Sequence, residues 1–238
     1  MKKLFFTISV LCVFTISSCV HYGEGERGNG EMITSNFRVD NFKKLEIGGA
    51  FKVILEKGEK ENVNIRMDEN LERYIEVENH GSTLYIGSEE FLRSDEGIEV
   101  VVTYRVLEKI DISGACKMET EGVLDGDYLT IDMGGAGALE LELDVRELDL
   151  TISGAGVVEL SGMAGFQHLN LQGAGGYNGF NLRSQKCEID ISGIGSAEVN
   201  VEGELVAEIS GLGGVAYKGD PKSVKTNISG LGTVKEAR

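Results

Sequence analysis

The residues that could do chemistry in this chain are 39 Asp and Glu, three His and four Cys, spread over 238 positions. Most of the carboxylates fall at positions that a strand would point outward. Such groups could pair across neighbouring strands as acid and base, as in glycoside hydrolysis, or stand as a solvated face. His21, His80 and His168 are far apart in sequence, and no HExxH, CxxC or calcium-loop spacing occurs. No Ser/His/Asp or Cys/His set is apparent either. The sequence therefore designates no catalytic, cofactor-binding or metal-binding residue and calls for no cofactor. Gly-rich turns such as Ser153-Gly154-Ala155-Gly156 could cradle phosphate, but that needs a helix N-terminus or a Lys behind the turn. Neither follows.

One cysteine has a chemical context of its own. Met1-Lys2-Lys3 is a positive start, and Leu4 to Ile16 is an apolar run too short to span a membrane. Ser17-Ser18-Cys19 follows. Small residues before a Cys at this place resemble the bacterial lipobox, although Ser-Ser-Cys departs from its commonest form. The resemblance implies cleavage before Cys19, diacylglycerol on its thiol and a further, palmitate-type acyl chain on its amine. Two or more chains anchor stably where one would be marginal. The other reading is an ordinary signal peptide with an incidental Cys. Cys12 leaves with the leader. Cys116 and Cys187 would then share an oxidising compartment. They fall about four coils apart in the repeat described next, roughly 19 Å at about 4.8 Å per coil. A disulfide needs Cα atoms within about 7 Å, so both are expected as unbridged fillers of space.

The elements that position everything else are repeats. A Gly-rich turn recurs as Gly48-Gly49-Ala50-Phe51, Ser113-Gly114-Ala115-Cys116, Gly134-Gly135-Ala136-Gly137 and Ser153-Gly154-Ala155-Gly156. Four more follow: Gln172-Gly173-Ala174-Gly175, Ser192-Gly193-Ile194-Gly195, Ser210-Gly211-Leu212-Gly213 and Ser229-Gly230-Leu231-Gly232. From Gly114 the spacing clusters around ~19 residues, which marks a repeat architecture. Before each turn stand Ile112, Met133, Ile152, Leu171, Ile191, Ile209 and Ile228, alternating with polar residues such as Asp132, Thr151 and Asn170. After it stand Met118, Leu139, Val158, Tyr177, Ala197, Val215 and Val234. This is period-two alternation with the apolar side fixed, and like stacks on like. The reading is an all-β fold, a parallel β-solenoid of roughly 19-residue coils with a less regular N-terminal β region. Gly at the second turn position is expected to supply positive φ, and the third residue (Ala, Ile or Leu) to tuck inward.

The chain divides into a leader at 1–18, a lipid anchor and flexible tether at 19–36, an irregular β part at 37–109 and the regular solenoid at 110–238. Val20 to roughly Ile33 is polar and rich in Gly and Glu, hence the tether. Glu24 and Glu26 give only a faint form of an acidic export signal. In the irregular part, Tyr74–Val77 and Thr83–Ile86 read as a hairpin, Ile98–Tyr104 as a strand, and Leu71–Tyr74 as one helical turn.

A formal net charge of −16 argues against nucleic acid and against electrostatic docking on anionic lipid. The anchor, the LEIGGAFKVIL opening, the serial Ser-Gly-x-Gly turns and Val215-Ala-Tyr-Lys-Gly-Asp-Pro221 resemble the head GIN domain family, the putative auto-transporter adhesins. The resemblance spans roughly 37–236. It implies a solenoid-like all-β fold and a function no finer than adhesion, and it offers no catalytic residues to carry over. The expected function is a non-enzymatic, cell-envelope lipoprotein anchored at the outer membrane, facing the periplasm or the surface. It would act as adhesin, binding module or scaffold for an unknown polysaccharide or protein. The alternative is a polysaccharide-active β-helix enzyme. That class usually shows long loops and a cluster of Asp, Lys or Arg at one level, whereas these turns are short. The C-terminal coil has no evident capping stretch, so a homo-oligomer is a further expectation unless Lys235, Glu236 and Arg238 blunt the edge.

Overall fold

Alternation of apolar and polar residues over almost the whole length leaves little choice but strand, and the structure, a computed structural model describing residues 25–237, is nearly all β. The strands before the regular stack are β1 (Glu26–Arg27), β2 (Met32–Phe37), β3 (Lys44–Ile47), β4 (Ala50–Lys57), β5 (Asn62–Asp68), β6 (Ile75–His80), β7 (Thr83–Ser88), β8 (Leu92–Arg93) and β9 (Glu99–Tyr104). Then come β10 (Lys109–Ile112), β11 (Ala115–Glu121), β12 (Leu124–Met133), β13 (Ala136–Ile152), β14 (Ala155–Leu171), β15 (Ala174–Ile191), β16 (Ile194–Ile209), β17 (Leu212–Lys218), β18 (Ser223–Ile228) and β19 (Leu231–Glu236). A single 3-10 helix, Glu69–Tyr74, joins β5 to β6 and buries Leu71.

The coils stack in parallel with matched register. One column runs Ile86, Ile47, Ile112, Met133, Ile152, Leu171, Ile191, Ile209, Ile228. A second runs Val100, Val53, Met118, Leu139, Val158, Tyr177, Ala197, Val215, Val234. Except at the last coil, these side chains are buried in one continuous core. Each coil alone would leave its apolar face wet, so the stack is the unit of stability.

The stacking order is not the chain order. β7 and β9 lie outside β3 and β4, and the chain then crosses back over that coil to begin β10. The Glu108 amide donates to Lys43 O at 2.7 Å at the crossing. Beyond this outermost coil the strands turn antiparallel: β5 pairs with β9, β2 with β5, and β6 with β7. Together with the 3-10 helix they close this end of the solenoid. At the other end β18 and β19 pair only inward among the described residues. Val224, Ile228 and Leu231 there are exposed.

Three expectations are corrected. First, the glycines at the second turn position do not adopt positive φ. From Gly114 onward they are required by contact with the neighbouring coil: a Cβ on Gly154 would lie 1.8 Å from Gly135 O. Second, the third turn residue points outward, with Ile194 63%, Leu212 46% and Leu231 77% exposed. The fourth residue is the inward one. Phe51 and Cys116 are buried there, and Gly156 clears space for Met133, since a Cβ would sit 2.3 Å from its Cε. Alternation continues unbroken through the turn, so the third residue falls on the outward phase and the fourth on the inward one. Third, the flexible tether of 19–36 does not extend through its last dozen residues. β1 pairs with β8 and β2 with β5, and Ile33 and Phe37 pack on the core. The Gly30 amide donates to Asp68 Oδ1 at 2.7 Å, and Asn70 bridges Asn29 N and Arg27 O.

Candidate functional site

Among the described residues the carboxylates lie mostly on outward columns, where many meet lysines. Lys52 bridges Glu99 at 3.1 Å and Glu119 at 3.0 Å, and Lys109 reaches Asp132 at 2.7 Å. Lys186 pairs with Glu188 and Lys225 with Glu204, each at 2.7 Å. Acids also stack on acids across neighbouring coils, among them Glu46 on Asp111, Asp111 on Asp132, Glu119 on Glu140, Glu140 on Glu159 and Asp190 on Glu208. Glu56 and Glu121 are register partners on β4 and β11. Burial, then the Glu121 charge, pushes the Glu56 carboxyl above its ordinary range.

The other reactive groups stand apart. Cys116 and Cys187 are buried free thiols, as their coil separation requires. His80 Nε2 sits 3.0 Å from Glu78 on an exposed hairpin, and His168 is exposed. No group of three or more His, Cys, Asp or Glu among the described residues is arranged to hold a metal. Cys19 and His21 lie outside the described residues. No described helix is long and apolar enough to cross a membrane.

Among the described residues the surface carries several hollows of about 240–270 Å³ and one apolar ridge. A notch of about 260 Å³ crosses β13, β14 and β15 at one corner, between Arg146, Met163, Ala164, Gly165, Arg183 and Gln185. A second hollow of about 270 Å³ lies at the Gly corner between Gly48-Gly49, Glu89, Glu90 and the exposed Phe91. The ridge is the stacked set Ile194, Leu212 and Leu231 on that same corner, running to the open end. Sequence reasoning missed the notch because Arg146 and Arg183 belong to different coils. It missed the ridge because the facing of the third turn residue was reversed; the switch from Ala to Ile and Leu in the last three turns was its available signal.

A model of the family described as putative auto-transporter adhesin, head GIN domain, matches residues 41–221. The chain belongs to that family. Solved structures resemble this GIN domain over nearly their whole length. A putative adhesin from Bacteroides fragilis is 25% identical, with a TM-score of 0.85 over 90% of this chain and 100% of that one. A putative adhesin from Parabacteroides merdae is 24% identical, with a TM-score of 0.69 over 89% and 98% of the two chains. A protein from Parabacteroides distasonis described as a putative lipid binding protein is 20% identical, with a TM-score of 0.60 over 89% and 99%. No curated protein matches the sequence. The adhesin family and the B. fragilis putative adhesin point to the cell envelope or surface. The pairs below 25% identity speak to the fold alone.

Proposed function

We propose that this GIN domain protein is a non-enzymatic binding module, held to the outer membrane by acyl chains on Cys19. The observation that carries the reading is the register-matched outer face. Outward residues repeat coil after coil along the stack, giving long parallel rows of the kind that hold extended ligands. Six residues lie between Cys19 and Glu26, where the described strands begin, so seven chain steps join them. Fully extended they reach about 25 Å at most. The closed end of the solenoid is then held near the lipid, and the open end and the notch project away.

Protease treatment of intact cells and alkyne-fatty-acid labelling test this together. Loss of the domain from intact cells is the expected result for a surface module, and protection would make it periplasmic. Label should enter the wild type and not Cys19→Ala; equal labelling of both removes the anchor. The enzymatic alternative is favoured by one observation, the stacked Glu56 and Glu121 pair. Neither residue lines the notch or the Phe91 hollow. Cleavage of an acidic polysaccharide that disappears in Glu56→Gln would establish the alternative and sink the binding reading.

A further inference from the structure

The notch on β13–β15 is made by the backbone. Val145, Ala164 and Ser184 turn inward and are buried, so the residues on either side of them splay outward. Asp144, Met163 and Arg183 stack on one flank. Arg146, Gly165 and Gln185 stand on the other. Gly165 cannot carry a side chain without moving the coil beneath, since a Cβ would lie 2.7 Å from Arg146 O. The floor is therefore only Ala164 and Gly165. The register of the stack also breaks beside the notch, between Gly179 and Arg183 and again between Ser184 and Lys186 on β15 against β16, as it does between Glu159 and Ser161 on β14 against β15. Irregularities of this kind re-aim side chains and concentrate at functional places.

The two arginines have donors to spare. With 39 acidic side chains available, several lysines, and Arg27 and Arg66, lie 2.7–3.1 Å from carboxylates. Arg183 has no carboxylate partner among the described residues, and its Nη2 rests 3.5 Å from Met163 Sδ. Arg146 has only Asp127, at 3.9 Å with both side chains exposed. Two guanidinium groups thus flank a notch with their donors largely unspent. Guanidinium is the group best shaped to receive a carboxylate on two parallel bonds. Asp144 and Glu202 also line the notch, and the Gln185 amide donates to Glu202 Oε2 at 2.7 Å. These carboxylates accept hydroxyl hydrogens, which a simple anion does not offer.

We infer that the notch binds a uronic-acid saccharide, with the sugar carboxylate between Arg146 and Arg183. Its hydroxyls donate to Asp144 and Glu202, and the half-exposed Met163 thioether lies against the ring carbons. One carboxylate beside several hydroxyl donors is the pattern that matches this mixture of charges. A peptide strand is not favoured, because the local backbone is already spent on the ladders joining β13, β14 and β15. The inference rests on the binding-module reading and gives it a ligand class.

The test is calorimetric titration of the mature chain with trigalacturonate, its methyl ester, and a sulfated galactotriose. Trigalacturonate should bind and its neutral ester should not. Arg183→Gln and Arg146→Gln should each weaken binding at least about tenfold, the usual size for a hydrogen bond to a charged group. Arg183→Lys should restore part of it, and all variants should keep the wild-type melting temperature. No binding of trigalacturonate, equal binding of the ester, or indifference to both Gln variants overturns the site. Equal binding of the sulfated sugar overturns the uronate assignment. Hydrolysis of trigalacturonate during the titration would instead overturn the non-enzymatic reading while leaving the notch intact.

Discussion

Tyr177 donates a 2.6 Å hydrogen bond to Gln167 Oε1 inside the solenoid, and both residues are buried. Gln167 stands in an otherwise apolar inward column between Leu148 and Cys187, on neighbouring coils. Tyr177 stands in the second column, between Val158 and Ala197. Gly179 makes room for its hydroxyl, since a Cβ there would lie 2.5 Å from it. A polar pair that replaces two apolar residues stays tolerable only while it is intact.

Tyr177→Phe should therefore cost about 1–3 kcal/mol, the usual penalty of stranding a buried polar group. Adding Gln167→Leu should recover most of that loss, because it removes the stranded group and restores the column. Urea denaturation at unchanged m-value gives the comparison. A neutral Tyr177→Phe would show that the bond contributes nothing.

Ile152 is fully buried between Met133 and Leu171, while its neighbour Thr151 faces outward between Asp132 and Asn170. Ile152→Ala should cost about 2–5 kcal/mol with its cavity. Thr151→Ala should stay within about 0.5–1 kcal/mol. The reverse ranking in the same denaturation experiment would contradict the facing of every coil.

The contrast between these two residues shows what local pattern encodes. Alternation fixes which side chains face in, and a one-residue slip would turn the whole column outward, so the Ile112-to-Ile228 ladder was legible in the sequence. Contacts set by neighbours in space were not. Nothing near Lys43 or Glu108 says that β7 and β9 will stack outside β3 and β4. Gly154 is there for the Gly135 carbonyl of another coil, which positive φ could not have revealed. The notch escaped for the same reason: Arg146 and Arg183 are 37 residues apart by their numbering and meet only through the stack.

Asp68 ties the N-terminal segment to the closed end. The Ser94 hydroxyl, then the Gly30 amide, hold its carboxyl below the ordinary range although burial opposes them. A lowered folded pKa adds stability above the unfolded value, near 3.9, and loses it as pH falls through the folded one. Acidification below about pH 4 should therefore loosen residues 28–31, and Asp68→Asn should do so at neutral pH. Hydrogen exchange at the Gly30 amide reports it. Equal protection in wild type and variant would refute the tie.

Burial pushes the Cys116 thiol up to about 12 and raises Cys187 further. Thiolate is the reactive form, so neither should react with a thiol reagent at neutral pH until the chain unfolds. Mass mapping of the native, non-reduced protein should find no peptide linking 116 to 187. Rapid native labelling, or that linked peptide, would contradict the packing.

The last coil carries the strongest apolar exposure at an edge. Val224 and Ile228 continue the inward columns of Leu205 and Ile209 but are 38% and 42% exposed, and Leu231 beside them is 77% exposed. On their outer side β18 and β19 offer backbone groups that no described strand meets. Such an edge templates pairing. The antiparallel strands close the opposite end, so head-to-tail stacking is blocked and pairing of two open ends closes as a two-fold dimer. Electrostatics favours the same end. In a chain of net charge −16, this coil carries Lys222, Lys225 and Lys235 against Asp220 and Glu236, so the acidic faces stay far apart in an end-to-end pair. Light scattering on the lipid-free mature chain over a concentration series should show a monomer–dimer equilibrium. Ile228→Ser with Leu231→Ser should shift it to monomer without lowering the melting temperature much, since both side chains are already wet. A strict monomer at high concentration, or a dimer indifferent to both substitutions, would remove the case for association through this end.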